Sequence, residues 1–205
     1  MKKKLIAFLV VLCLTMPIMQ IFADTTYTIR SGDTMWKIAT KYQVGISEII
    51  AKNPQIKNPS MIYPGQTLTI PTTTAITTME NEVIRLTNIE RSKKGLGALK
   101  ANWQLSRCAR YKSQDMINKN YFAHQSPTYG SPFDMIESFG ISMAAGGENI
   151  AMGQRTPQEV VTAWMNSPGH RSNILSTAYT EIGVGCAKSS NGSYYWTQMF
   201  IRPGR

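Results

Sequence analysis

Histidine is scarce in this chain, with two copies among 205 residues. His124 stands in "YFAHQSP" and His170 in "WMNSPGHRSNIL", each next to a Ser-Pro pair. Such contexts predict helix-to-loop junctions, where an imidazole stays out of the deep core. Taken on the residues alone, structural roles stay open for both: His124 could bond a turn carbonyl near Pro127, and His170 could begin a short helix before Ile174.

Cysteine is also rare, with three copies, of which Cys13 lies in an apolar run at the N-terminus. Cys108 and Cys186 each fall at an apolar position of their segments. The sequence therefore leaves two alternatives open for them, a disulfide or two buried thiols. Burial of both argues against a cysteine nucleophile activated by a histidine.

Acidic residues number 12 against 22 lysines and arginines. The first 23 residues read as a secretory signal, with Lys2 to Lys4 ahead of an apolar run that ends at Ala23. A retained anchor is the alternative, since Ile21 stands where a small residue is preferred and the run nearly spans a bilayer. We expect cleavage after Ala23, an exported protein and no stable membrane span in the mature chain.

Cleavage would remove three lysines and leave 19 basic residues against 12 acidic ones, a net charge of +7. This charge suits an anionic cell wall or membrane surface, although a surface that only keeps the protein soluble is an equal alternative. Nucleic acid is not expected as a partner, because the chain is exported and carries no basic-aromatic motif. A nucleotide site is not expected either, because no Gly-rich phosphate loop of the required spacing occurs.

A threonine-rich segment, "PTTTAITT", lacks apolar periodicity and predicts an extended linker over residues 72–78. Before it, apolar residues alternate in "YTI" and "LTI", and helical spacing follows in "MWKIATKY" and "ISEII". The predicted order is strand, helix, helix, strand, with Asp33 as the N-cap of the first helix.

These residues resemble a LysM domain over 26–71, through "SGDTMWKIA" and "NPQIKNPSMIYPGQTLTIP". The resemblance implies binding of N-acetylglucosamine-containing glycans, such as peptidoglycan, in a shallow groove between two loops. Acetamido groups would take backbone partners there and sugar faces would take small apolar contacts. The groove residues implied by the resemblance are Gly32, Asp33, Thr34, Met35, Ile56, Asn58, Ile62 and Tyr63.

From Met79 onward the pattern is mixed α and β. Two helices are predicted before residue 120, and two later ones begin with the capping boxes "SPFD" and "TPQE". Two strands flank the turn "SSNG". Helices on a small antiparallel sheet account for this order, so the whole chain is predicted to be α+β.

Residues 79–205 resemble the bacterial branch of the CAP superfamily (cysteine-rich secretory, antigen-like and pathogenesis-related proteins). The matching pieces are "LTNIERSKKGLGAL", "YFAHQSP", "GGENIAMG", "VVTAWMNSPGHRSNIL", "EIGVGCA" and "YYWTQMF". The resemblance implies an α-β-α sandwich with a large cleft, where eukaryotic members can hold a divalent metal with two histidines and two glutamates.

His124 and Glu148 match the first histidine and the first glutamate of that set. The other two positions fall at Ser167 and Tyr195, and this chain instead has His170. His124, Glu148 and His170 would form a two-histidine, one-carboxylate set, a combination that binds zinc and leaves a position for water. Asn149 is expected to tie loops together through its amide.

Three functions stay open for an exported protein of the cell wall or spore envelope. The first is a binding protein, in which the LysM domain holds peptidoglycan and the cleft binds a ligand, or a metal such as zinc. The second is a hydrolase of the wall or of an envelope protein, with His124, Glu148 and His170 as its metal-binding or acid-base residues. The third is a structural component of the wall or spore coat. The sequence does not decide whether the protein is an enzyme, and the partner of the CAP domain is unknown.

Overall fold

The computed structural model describes residues 24–71 and 74–204. The predicted signal peptide and the first two residues of the predicted linker lie outside the described residues. In chain order, the elements are β1 Thr25–Thr28, α1 Met35–Tyr42, α2 Ile46–Lys52, β2 Thr67–Ile70, α3 Thr74–Ser92, β3 Lys100–Ala101, α4 Trp103–Asn118, α5 Pro132–Ser138, β4 Met143–Met152, α6 Pro157–Asn166, α7 Pro168–Ile174, β5 Glu181–Lys188 and β6 Tyr194–Pro203.

The N-terminal module has the predicted βααβ order. Strands β1 and β2 pair antiparallel, with Tyr27 opposite Leu68, and α1 and α2 bury their apolar faces in one small core. Asn53 joins the two halves: its amide donates to Ile49 O and Thr69 O at 2.7 Å, and its oxygen accepts from Thr69 N at 2.8 Å. This buried side chain is fully hydrogen-bonded, which keeps the cost of its burial low.

The prediction of an extended linker over residues 72–78 is wrong from Thr74 onward, where the chain is helical. Helix α3 already begins at Thr74 and runs without interruption to Ser92. Threonine is only a moderate helix former, but a helix that is already nucleated gains one hydrogen bond for each residue added. The amphipathic helix that follows therefore extends backwards into the threonine-rich segment.

The C-terminal domain is built on a four-stranded sheet in the order β3-β5-β6-β4. The short β3 runs parallel to β5, and the other neighbours are antiparallel. Helices α3, α6 and α7 cover one face and α4 and α5 cover the other. The predicted α+β class and α-β-α sandwich are thus confirmed.

Glycines in β5 set how closely α4 approaches the sheet. A Cβ on Gly183 would lie 2.4 Å from the backbone of Leu105, and one on Gly185 would lie 2.0 Å from Arg110 N. Any side chain at either position would push the helix away. The close approach brings the residues of α4 directly under the sheet.

Cys108 and Cys186 are both free and buried, so the buried-thiol alternative is correct. Cys108 packs in the core on the α4 face, and Cys186 packs in the core on the opposite face. The sheet therefore separates the two sulfurs. Burial raises the pKa of each thiol to about 12, which makes both poor nucleophiles at neutral pH.

Within residues 24–71 and 74–204, no helix has the length and hydrophobicity that crossing a bilayer requires.

Candidate functional site

Strand alternation sends the two neighbours Glu148 and Asn149 to opposite faces of β4. Glu148 pairs with Met199 in the register with β6, on the α4 side, and Asn149 pairs with Gln198. Both side chains are buried. The strand therefore presents a carboxylate to one layer of the sandwich and an amide to the other.

His124 lies in the loop between α4 and α5 and reaches Glu148 from outside. Its Nδ1 donates to Glu148 Oε1 at 2.7 Å. The imidazole is 55% exposed and the carboxylate 2% exposed. The structure thus brings together two of the three residues predicted for the cleft, with the histidine facing solvent and the glutamate behind it.

Two charged residues of α4 that sequence reasoning missed hold the His124 loop. Lys112 is buried, and its Nζ donates to His124 O at 2.6 Å. Asp115 accepts from Tyr121, Ser126 and Thr128 hydroxyls at 2.6 to 2.7 Å. Charge-assisted bonds of this kind are short and strong, so they fix the loop that carries His124.

The electrostatics of the pair favour keeping a proton between its members. The hydrogen bond to Glu148 raises the pKa of His124 above its ordinary value, although partial burial opposes this. Burial raises the pKa of Glu148, while the His124 hydrogen bond and the charge of Lys112 oppose that rise. The second carboxylate oxygen, Oε2, is buried and has no hydrogen-bond partner among the described residues.

His170 lies in α7, near the pair but outside it. Burial and the positive charge of His124 both lower the pKa of His170, which favours its neutral form. Its backbone oxygen accepts from the Asn149 amide at 3.1 Å, and Asn173 donates to Asn149 Oδ1 at 2.9 Å. Asn149 therefore ties α7 to β4 through its amide, whereas the prediction had this amide tying loops together.

The predicted metal set does not assemble as it stands. Among the described residues, no three side chains of His, Cys, Asp or Glu lie together in a way that could hold a metal ion. His124 Nδ1 and Glu148 Oε1 are already bonded to each other, so a shared ion would have to break that bond. Zinc binding by His124, Glu148 and His170 stays a prediction of the sequence.

A shallow groove of about 400 Å³ crosses the N-terminal module. Of the predicted glycan-binding residues, four line it: Asp33, Thr34, Met35 and Ile62. It is completed by four residues that the sequence reasoning did not name: Trp36, Ile46, Pro59 and Ser60. The sequence contained a signal for Trp36, because a tryptophan on the polar face of an amphipathic helix exposes a large apolar side chain to solvent.

The other four predicted residues lie outside that lining. Ile56 is buried in the core of the module, and Tyr63 is 55% exposed. Asn58 accepts from Ser60 N, which shapes the loop on one side of the groove. Gly32, with a φ of 82°, accepts from Lys37 Nζ through its carbonyl. The structure therefore does not place these four residues in the lining of the groove.

The predicted N-cap role of Asp33 is wrong. Thr34 caps α1, because its Oγ1 accepts from Lys37 N. The Asp33 carboxylate instead accepts from Tyr27 OH at 2.6 Å and from Arg30 N at 2.8 Å. It closes the turn between β1 and the helix, a common use of aspartate in loops.

Two parts of the sequence match known families. Residues 84–200, more than half of the chain, match the family described as "CAP: Cysteine-rich secretory protein family". Residues 27–71 match the LysM domain.

Individual relatives are similar to one part or the other. The uncharacterized protein YkwD of Bacillus subtilis is 59% identical over 127 residues, which are 62% of this chain and 48% of that protein. A probable N-acetylmuramidase of Lactococcus lactis is 41% identical over 51 residues, 25% of this chain and 11% of that protein. The crystal structure of an extracellular SCP-domain protein from Bacillus anthracis has a TM-score of 0.56 at 34% identity, covering 68% of this chain and 47% of that one. This chain thus spans about half or less of each of these proteins.

Proposed function

Because this chain belongs to the CAP family and carries a LysM domain ahead of its CAP domain, we propose that it binds cell-wall glycan through the first domain. The cleft of the second domain then binds a further ligand at that surface. The observation that supports a ligand in the CAP domain is the His124–Glu148 pair, in which a solvent-facing imidazole is bonded to a buried carboxylate. The cell wall or the spore envelope is the location that we propose.

The LysM groove has the chemistry that a glycan requires. Apolar side chains of Trp36, Ile46 and Ile62 offer contact to sugar faces, and its loops offer backbone partners to acetamido groups. The probable N-acetylmuramidase that shares this segment carries the name of a wall-cleaving enzyme, which supports a wall glycan as the ligand. The basic chain would add long-range attraction to an anionic wall.

The first test blocks the groove without touching the core. Ser60→Trp places a large side chain in the groove, and Lys57→Trp places the same side chain on an exposed position that does not line it. We expect Ser60→Trp to lose sedimentation with purified peptidoglycan and Lys57→Trp to retain it. Equal retention by both variants would overturn the glycan-binding proposal.

In the cleft of the CAP domain, the His124–Glu148 pair favours a ligand that carries a hydrogen-bond acceptor. Nδ1 of His124 is bonded to Glu148 while the imidazole is 55% exposed, and that hydrogen bond raises the pKa of His124, which favours the protonated ring. A protonated imidazole donates to a carboxylate or carbonyl oxygen. The ligand class that we propose is therefore one that presents such an oxygen to His124.

Hydrolysis is the second candidate, and the same pair supports it. A carboxylate behind a histidine orients the ring and stabilises its protonated form, as in the acid-base pairs of many hydrolases. The histidine would have to activate water, because among the described residues its side chain has no hydrogen bond to a serine, threonine or cysteine. Binding ranks first because it needs only the His124–Glu148 pair, whereas hydrolysis also needs an activated water.

Variants of the pair separate these functions. His124→Ala and Glu148→Gln are compared with Glu82→Gln, which removes an exposed carboxylate of α3. Loss of muropeptide release from wall fragments, with folding and wall sedimentation intact, would favour the hydrolase. Loss of ligand capture without any release would favour the binding protein, and no change in either variant would favour a structural wall or spore-coat component.

A further inference from the structure

Trp36 lines two hollows of the molecule. One is the LysM groove, and the other is a cleft of about 220 Å³ between the two domains, which we call the junction cleft. The CAP domain contributes Trp103, Gln104, Arg107 and Phe139 to its lining. Ile46 also lines both hollows, so a ligand seated in the groove would lie next to the junction cleft.

An ion pair beside the junction cleft joins the two domains. Arg107 Nε donates to Glu48 Oε1 at 2.7 Å, and a second guanidinium nitrogen donates to Ser47 Oγ at 3.0 Å. The Arg107 and Glu48 side chains are 19% and 22% exposed. Partly buried pairs with several hydrogen bonds are more strongly oriented than exposed ones.

Gly45 allows this close contact between the domains. It precedes α2, and a Cβ there would lie 2.2 Å from Arg107 Nε. Its backbone N–H donates to Glu48 Oε2 at 2.8 Å, so the same carboxylate holds both the loop and the arginine. The LysM domain therefore contacts α4 through hydrogen bonds from Arg107 to Glu48 and Ser47.

Two indole rings, those of Trp36 and Trp103, line the junction cleft. The ring centroids of Trp36 and Trp103 lie 6.4 Å apart at an interplanar angle of 44°. Trp36 is 54% exposed. Both indole N–H groups and the Gln104 amide lack hydrogen-bond partners among the described residues. Amphipathic rings with free polar edges are typical of surfaces that bind partly apolar, hydroxyl-rich ligands.

We propose that the junction cleft binds the continuation of the glycan strand held in the LysM groove. Sugar rings would stack on Trp36 and Trp103, and acetamido or hydroxyl groups would bond the indole N–H groups and Gln104. The occupant is a β-1,4-linked strand containing N-acetylglucosamine, because Trp36 and Ile46 line both the junction cleft and the groove proposed for that sugar. This inference rests on the proposed glycan binding and adds a site supplied by the CAP domain.

The experiment measures how affinity depends on oligomer length. Calorimetry compares N-acetylglucosamine tetramer and octamer on the full chain, on Trp103→Ala and on Gln104→Ala. We expect the wild type to bind the octamer roughly tenfold more tightly than the tetramer, a difference of about 1.4 kcal/mol. Both variants should lose most of that gain while keeping the affinity for the tetramer. Ile89→Ala, an exposed apolar truncation in α3, serves as the matched control.

The outcomes separate the two proposals. If the wild type binds the tetramer with no gain for the octamer, or if both variants keep the gain, the junction cleft is overturned and the groove stands. If Ser60→Trp binds the tetramer as the wild type does, or the wild type binds neither oligomer, the proposed glycan binding fails and the inference fails with it. Thermal unfolding of Trp103→Ala checks its fold, and Gln104→Ala keeps the test valid if that variant unfolds.

The source of the strand is decided by a second ligand series. Peptidoglycan glycan strands of matched length replace the N-acetylglucosamine oligomers. A length gain confined to the peptidoglycan series supports the junction cleft and identifies the wall as the source. A gain in affinity with length that is confined to the N-acetylglucosamine oligomers supports the junction cleft and identifies a chitin-type strand as its ligand. No gain with length in either series overturns the junction cleft.

Discussion

Lys112 Nζ, buried under the sheet, donates a 2.6 Å hydrogen bond to the backbone oxygen of His124. The ammonium also lies 5.0 Å from the centre of the Tyr121 ring. Its positive charge opposes the rise in pKa of both His124 and Glu148. Lys112 therefore holds the His124 loop together with Asp115 and also acts on the charge of the pair.

Replacing Lys112 with methionine should loosen this loop. The change keeps most of the apolar stem but leaves the His124 oxygen without its charged donor, which costs about 1–3 kcal/mol. We expect a lower midpoint of urea unfolding and a higher pKa of His124 by NMR titration. Lys119→Met, at an exposed position after α4, should change neither, and equal stability of the two variants would contradict this role.

Glu148→Gln should lower the pKa of His124 towards the ordinary histidine value of about 6.5. Because the folded state raises the pKa of His124, the stabilisation is complete below about pH 6.5 and is lost as pH rises through the folded value. The variant should lose this pH dependence. With two histidines in the chain, each imidazole can be followed separately by NMR, and an unchanged His124 titration would count against the pair.

Glu80 should make stability fall as pH rises towards neutrality. Burial raises its pKa to about 7 despite the Arg110 guanidinium, which donates to both carboxylate oxygens. The folded state thus binds a proton that the unfolded state releases near pH 4.5. The free energy of unfolding should decline between about pH 4.5 and 7, by up to about 3 kcal/mol.

Calorimetric unfolding of the wild type and Glu80→Gln across this pH range tests the assignment. The variant should be less stable near and above pH 7, where Glu80 is ionised and Arg110 therefore loses a charged partner. Its dependence on pH should nevertheless be flatter than that of the wild type. Parallel curves for the two proteins would show that Glu80 does not cause the decline.

Zinc titration by calorimetry tests the set predicted from the sequence. That prediction requires one zinc ion per chain, lost in both His124→Ala and His170→Ala. It also requires the ion to displace the hydrogen bond between His124 and Glu148, which would appear as a shift of the His124 NMR signals. Binding that His170→Ala leaves unchanged would contradict the three-residue set.

Local features were predictable because they depend on neighbours in the chain. Ser131 and Asp134 form the predicted capping box ahead of α5, and the turn "SSNG" joins β5 to β6 as expected. Lys112 was missed although a signal existed. It lies four residues from both Cys108 and Met116, on the buried face of α4, and a charge there indicates a specific partner.

Strand β4, which carries Glu148, was not predicted as a strand. Its first half contains Gly146 and Gly147, and its second half is buried on both faces, so the alternating pattern is absent. A Cβ on Gly147 would lie 2.6 Å from Tyr179 OH. The need for glycine arises from a residue 32 positions away, which no local pattern reveals.

The sequence by itself determined the two domains, their α+β class and several helix starts, and it singled out His124 and Glu148 as candidate site residues. These follow from periodicity, capping and motif spacing, which act over a few residues. The tertiary structure decided that His124 bonds Glu148 while His170 stays apart, that the sheet separates Cys108 from Cys186, and that Trp36 meets Trp103. Such outcomes depend on packing between distant segments, where one glycine or one buried charge sets which groups come within bonding distance.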